Sequence, residues 1–153
     1  MRATTLIGTV VPVAAAAVAG SLATRPAESR WYRRLRKPRY QPPRQAFPIV
    51  WTLLYADLAI SSAATIDRSI TREQALDYLR ALGVNLALNA SWSWLFFNRH
   101  MLKTSAAVAA ALALSSADLT RRADRRVAPV LGLYPLWCAF ASVLAAHIWQ
   151  LNH

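Results

Sequence analysis

The sequence predicts an all-α fold: an integral membrane bundle of five transmembrane helices, one domain over residues 1–153. Three observations predict it. Hydrophobic residues make up 56% of the chain and charged residues 16%, where an average soluble domain carries about 25% charged residues. The charges are largely confined to the stretches between long apolar runs. The formal net charge is +11, from 18 Lys and Arg against 7 Asp and Glu; a small membrane protein keeps such basic residues at the membrane edges. The same figures exclude intrinsic disorder, which goes with few apolar residues. Cys138 is the single cysteine, which excludes a disulfide framework. Charge alone would fit a nucleic-acid binder, but such a protein has no need of this much apolar sequence. No nucleic-acid partner is expected.

The apolar runs define the elements, since a spanning helix needs about 20 mostly apolar residues. Residues 3–24 hold no charge and predict a first span over about 4–24. Met1-Arg2 and the small residues at Ala19-Gly20-Ser21 loosely fit a signal peptide. The run is long for a signal peptide's apolar core, so it is read as a retained helix. Residues 25–45 form the long connection, with eight basic residues from Arg25 to Arg44, Pro26, Pro38, Pro42 and Pro43, and Trp31, Tyr32 and Tyr40. The prolines forbid one continuous helix there, and the aromatics suit a membrane interface. The second span, 46–66, contains one acid, Asp57. The third, 75–98, is free of charge from residue 81 onward, and the connection before it, 67–77, is close to charge-balanced. The fourth, 102–121, is short and rich in Ala and Ser, which lets helix backbones approach closely in lipid. The fifth, 127–150, is charge-free throughout. The fourth and fifth runs show no polar stripe wide enough for a soluble surface helix.

Orientation follows from the basic residues. The first and third connections share a side and carry ten Lys and Arg; the N-terminus and the other two connections carry eight. The positive-inside rule places the first connection and the C-terminus in the cytoplasm. The richness in Arg and Ala, the short termini and the lack of a targeting presequence predict a bacterial cell membrane.

The chemistry-bearing residues inside the spans are few. Trp51, Trp92, Trp94, Trp137 and Trp149 fall in predicted helices. An indole is flat, polarisable and carries one N–H donor, so several around a cavity would suit a planar aromatic ligand. Near a helix end the same residue is an interface anchor, which describes Trp31 and Trp149 well and Trp51 and Trp137 less well. Asn85 and Asn89 are four apart and share a helix face. They serve either as interhelical hydrogen-bond glue or as polar contacts to a ligand. Asp57 is an intramembrane acid, by default a functional hypothesis, or else a neutral or paired group. His100, His147 and His153 do not make a metal site, and no metal or cofactor is expected. Ser142, His147 and Asp57 form a hydrolase set on paper, with nothing local to support it.

Taken in order, these residues resemble a known family. Trp31-Tyr32, Leu35, Lys37-Pro38, Pro42-Pro43, Val50-Trp51-Thr52 and Leu54-Tyr55 make its first motif. Asn85-Leu86-Ala87-Leu88-Asn89, Trp92 and Phe96-Phe97 make the second. Pro135-Leu136-Trp137, Phe140-Ala141, Leu144, Ile148-Trp149 and Leu151-Asn152 make the third. The resemblance is to the TspO/translocator protein family, also called tryptophan-rich sensory protein or peripheral-type benzodiazepine receptor. It covers nearly the whole chain.

The resemblance implies a five-helix homodimer with a pocket under the first loop. That pocket would bind protoporphyrin IX and related tetrapyrroles or isoquinoline-carboxamides, in some members cholesterol. It implies a sensor or scavenger with light-dependent porphyrin degradation at Trp51 and Trp137. Ligand binding falls to Asn85, Asn89, Trp92, Ala141, Phe47 and Tyr55, under a lid that includes Trp31, Pro42 and Pro43. Transport of porphyrins or other amphiphiles, and a non-catalytic regulatory or structural role, are the alternatives. The chain departs from the family pattern at Tyr40, Gln45, Tyr134-Pro135, Ala145 and Asn85. No Lys or Arg follows Tyr134, so the sterol-type consensus is absent from the fifth span. Asp57 inherits no role.

Overall fold

The computed structural model describes residues 2–25 and 29–153. Residues 26–28, within the expected lid, and Met1 lie outside the described residues. Among the described residues the regular structure is helical: α1 (Ala3–Thr24), α2 (Arg30–Arg34), α3 (Ala46–Arg68), α4 (Arg72–Phe97), α5 (Leu102–Arg122), α6 (Ala128–Leu131) and α7 (Leu133–Leu151). The five long helices are the expected spans. Two short ones are additional.

The differences from the expected boundaries have local causes. The fifth span runs over 128–151 as expected. Only Gly132 separates α6 from α7; it keeps helical backbone angles, and its N–H bonds to Ala128 O at 2.9 Å. The connection before α4 shrinks because α4 begins at Arg72. Thr71 caps that end, its hydroxyl accepting from Gln74 N at 3.2 Å while Gln74 Oε1 accepts from Ile70 N at 3.1 Å. The first bond satisfies an amide that a helix start leaves without a partner, and the second ties the residue before the cap to the first turn. Within the long connection, Ser29 caps the single turn of α2.

The packing is inside out relative to a soluble protein. Ile7, Val11 and Val18 of α1, Ile49 and Leu53 of α3, Leu114 of α5, and Leu136 and Val143 of α7 all face outward. Thr9, Ser61, Ser62, Asn85, Asn89, Ser93, Ser105 and Ser116 are buried. That distribution suits a hydrocarbon solvent, where polar groups must find partners inside the bundle. Thr9 Oγ1, for example, donates to Ala59 O at 2.9 Å, joining α1 to α3. Residues 3–24, 46–68 and 128–151 are long and apolar enough to cross a membrane by length and composition. α5 uses small residues as expected: Ser105, Ala106 and Ala109 are buried, and α5 packs closely against α4 and α7.

Two sets of contacts define the ends of the bundle. At one end Arg2 N donates to Asp67 Oδ2 at 2.5 Å, and Arg68 pairs with Asp124 at 3.7 Å. At the other, Asn98 Nδ2 donates to Ala23 O, and Asn152 holds Arg36. The long connection, the α4–α5 turn and the C-terminus therefore share one end. His100 makes the α4–α5 turn with a left-handed backbone, φ 54°, which histidine tolerates better than most residues. The Trp31 ring stacks on it, with ring centroids 3.8 Å apart.

Candidate functional site: an aromatic cavity under the first loop

A cavity of about 650 Å³ lies between α1, α3, α4 and α7, beneath the loop. Side-chain size creates it. α1 contributes Ala17, Gly20, Ser21 and Thr24, and α7 contributes Ala141 and Ala145, so two walls are set back. Phe47, Trp51 and Tyr55 project from one face of α3 at four-residue spacing, and Trp92, Phe96 and Phe97 project from α4. Arg25, Tyr32, Gln41 and Arg44 line its loop side. Small residues leave the space, large aromatics give it flat walls, and the loop brings positive charge to it.

The aromatic walls are mutually packed. Trp51 stacks on Tyr55 at 5.5 Å between centroids and approaches Trp92 at 6.1 Å. Trp92 reaches Phe96 at 6.4 Å. Trp137 meets Trp51 edge to face at 6.5 Å and Phe47 at 5.9 Å. The indole N–H groups of Trp92 and Trp137 and the Oε1 of Gln41 are buried without a hydrogen-bond partner among the described residues.

Beneath Tyr55 lies a polar network crossing the bundle. Tyr55 Oη donates to Asn89 Oδ1 at 2.7 Å. Asn89 Nδ2 donates to Tyr134 Oη at 3.1 Å, and Tyr134 Oη to Asn85 Oδ1 at 2.8 Å. Asn85 Nδ2 donates to Ser116 Oγ at 3.0 Å and to Ser115 Oγ at 3.3 Å. Four long helices, α3, α4, α5 and α7, are tied by side chains that would each be costly to bury alone.

The loop is fastened at several points. Asn152 Oδ1 accepts from Arg36 N at 2.9 Å while its Nδ2 donates to Arg36 O at 2.8 Å. Tyr40 Oη and His147 Nδ1 are 3.1 Å apart. Lys37 Nζ donates to Tyr32 O at 2.6 Å and sits 4.3 Å from the Tyr32 ring centroid. Desolvation, and then the charge of Arg44, hold the Lys37 ammonium below its ordinary pKa. Burial pushes the Tyr32 phenol up.

The sequence-designated residues are placed as follows. Phe47, Trp51, Tyr55, Trp92 and Ala141 line the cavity. Trp137 is outside the lining and packs behind Trp51 and Phe47. Asn85 and Asn89 are 0% and 1% exposed and lie in the network below. Trp31 lies on His100, also outside the lining. Pro42 and Pro43 lie between Gln41 and Arg44, which line the cavity, but do not line it themselves. Asp57 does not line the cavity; its Oδ1 accepts from Ser61 Oγ at 2.8 Å and its Oδ2 is buried without a partner among the described residues. Sequence reasoning missed the α1 wall. Its signal is the small-residue spacing Ala17, Gly20 or Ser21, Thr24. It also gave no role to Ser93, Gln41, Phe96 or Phe97, although the last two belong to the second motif.

The sequence model of the TspO/MBR family matches residues 8–150. The chain belongs to the TspO/MBR family. It is therefore an integral membrane helical bundle, and it has bacterial relatives. It is similar to Protein CrtK of Rhodobacter capsulatus, 30% identical over 90% of this chain and 88% of the relative. It is 31% identical to Tryptophan-rich protein TspO of Chlorobaculum tepidum, over 88% of this chain and 87% of that protein. It is 34% identical to the Translocator protein of Ovis aries, over 80% of this chain and 75% of that protein. The TspO/MBR match takes in every wall of the cavity, from Ala17 to Ile148.

Proposed function

We propose that this TspO/MBR member binds planar, amphiphilic tetrapyrroles of the protoporphyrin IX kind in the cavity under the loop, acting as a membrane sensor or scavenger. The observation that carries the reading is the combination of aromatic walls and basic loop residues in one cavity: Trp51, Trp92, Phe96 and Phe97 with Arg25 and Arg44. A flat macrocycle gains stacking contacts on indole and phenyl faces. Its propionates find guanidinium partners at the loop side, where charge-assisted hydrogen bonds are strong. The cavity volume lies in the range of small-molecule sites.

Trp51 gives the site a photochemical capacity. Light absorbed by a bound porphyrin in the presence of dioxygen generates reactive oxygen, and the indole beside it is oxidisable. We place the protein as a homodimer in a bacterial cell membrane with the basic loop on the cytoplasmic side. The ten Lys and Arg of the first and third connections support that side.

The test is the bleaching of protoporphyrin IX in proteoliposomes under light, with dark and protein-free controls. The reading expects light-dependent loss that requires the protein. A loss rate equal to that in protein-free liposomes removes the degradative role. Net protoporphyrin flux across the vesicle membrane would favour transport instead.

A further inference from the structure

The network beneath the cavity has a fixed polarity, and it ends on a residue that faces the ligand space. Ser116 is the starting point. A serine hydroxyl has one proton. Ser116 Oγ lies 2.8 Å from Leu112 O, to which it donates, and 3.5 Å from Cys138 Sγ. In either direction the proton points away from Asn85. Asn85 must therefore present its amide nitrogen to Ser116, at 3.0 Å. An amide oxygen there would meet the lone pairs of Ser116 at 3.0 Å and could accept only from Ser115, at the longer 3.3 Å.

The rest follows step by step. With Nδ2 committed to the serines, Asn85 turns Oδ1 toward Tyr134 and accepts its hydroxyl proton at 2.8 Å. Tyr134 Oη then has only lone pairs for Asn89, whose Nδ2 donates to it at 3.1 Å. Asn89 turns Oδ1 to Tyr55 and takes the Tyr55 proton at 2.7 Å. All donors in the chain point from the cavity toward α5. Each bond polarises the next, so reversing one means reversing all.

Tyr55 lines the cavity, and so does Gly20, whose Cβ position would lie 3.7 Å from Tyr55 Oη. Because the Tyr55 proton is held by Asn89, the oxygen offers the cavity lone pairs only. We propose that Tyr55 is an acceptor-only specificity residue, its polarity set across the bundle by Ser116, which selects tetrapyrrole-like ligands presenting an N–H donor at the cavity floor. This rests on the tetrapyrrole reading above and deepens it. Open-chain tetrapyrroles carry such an edge: their lactam or terminal pyrrole N–H pairs with Tyr55, a carbonyl or ether oxygen at the same place is repelled, and a closed porphyrin, whose N–H groups face the ring centre, is bound by stacking without this contact.

The test uses two dipyrrinone carboxylic acids, one with its lactam N–H free and one N-methylated, titrated by quenching of tryptophan fluorescence in nanodiscs. The N–H form is expected to bind wild type at least roughly tenfold more tightly. Tyr55→Phe should reduce that preference to within about threefold. The Ser115→Ala/Ser116→Ala double variant leaves the cavity lining unchanged but frees Asn85 to turn over. It should lose the preference although Tyr55 is intact. Equal affinity of the two dipyrrinones for wild type overturns the inference, as does a full preference surviving in the serine double variant. Absence of saturable binding by the N–H form overturns it as well. Protoporphyrin IX, titrated in parallel, separates the two failures. If it still binds, the tetrapyrrole reading stands without this inference; if it does not, both fall.

Discussion

Trp51 and Trp137 meet edge to face, with ring centroids 6.5 Å apart and planes inclined by 85°, but only Trp51 lines the cavity. The two indoles that the family resemblance pairs are therefore inequivalent. Trp51 is placed for direct contact with a ligand. Trp137 supports it from behind, against Phe47 and Phe140. Trp51→Phe should abolish light-driven porphyrin loss. Its dissociation constant should shift by less than about tenfold, because aromatic pairs contribute about 0.5–1.5 kcal/mol and phenyl keeps part of that. Trp137→Phe should slow the loss with a smaller change in affinity. Absorbance decay under constant illumination, alongside equilibrium titration, measures both. Unchanged decay in both single variants and the double variant would remove the indoles from the photochemistry.

The amide network should act on stability as well as on the polarity of Tyr55. Asn85→Leu removes the acceptor of the buried Tyr134 hydroxyl and the donor to Ser116. Leaving a buried polar group unpaired costs about 1–3 kcal/mol, and in a chain of this size each kcal/mol shifts the thermal midpoint by roughly 2–4 °C. The midpoint in detergent should fall by several degrees and the preference between the two dipyrrinones should be lost, while the affinity for protoporphyrin, whose N–H groups face the ring centre, changes little. An unaltered midpoint combined with lost binding would mean that Asn85 contacts the ligand directly.

The loop should open more readily when its clasp is cut. Asn152 bonds both the N–H and the carbonyl of Arg36, and each neutral hydrogen bond is worth about 1 kcal/mol. Asn152→Ala should speed amide hydrogen exchange over residues 33–39 and raise the ligand dissociation rate, leaving exchange in α4 and α5 unchanged. Exchange rates over 33–39 that match wild type would show that the clasp does not hold the loop.

Orientation is testable with single cysteines, because Cys138 is buried and should be inert to labelling. Arg34→Cys and Arg125→Cys lie at opposite ends of the bundle. With the basic loop cytoplasmic, a membrane-impermeant maleimide on intact cells should label position 125 and spare position 34. The reverse pattern would invert the topology.

Much of the bundle could be read from charge alone. The long apolar runs up to Thr24, around Asp57, from residue 81, and from 127 onward became α1, α3, most of α4 and α6–α7, because burying charge in lipid is expensive. The interruption between α6 and α7 was less legible: its sign is Pro135, which has no N–H for the carbonyl of Leu131 four residues back. The spacing of Asn85 and Asn89 showed a shared face, but not what that face meets. Their partners Tyr134, Ser115 and Ser116 come from α5 and α7, and such long-range pairings leave no local signature. The aromatic walls were visible at Phe47, Trp51, Tyr55 and Trp92. The α1 wall was not, since Ala17, Gly20 and Ser21 contribute through absent bulk rather than a functional group.

That empty space is the most direct test of the account. Gly20 faces Tyr55 Oη at 3.7 Å and Ser93 Oγ at 3.9 Å from its Cβ position. An alanine there makes ordinary contacts, whereas a leucine extends into the cavity. The deciding measurement is titration of protoporphyrin IX against tryptophan fluorescence for wild type, Gly20→Ala and Gly20→Leu, with thermal midpoints to confirm folding. Saturable quenching should appear in wild type and Gly20→Ala and be lost in a folded Gly20→Leu. Unsaturable quenching in wild type, or the same affinity in folded Gly20→Leu, would contradict the cavity as the tetrapyrrole site.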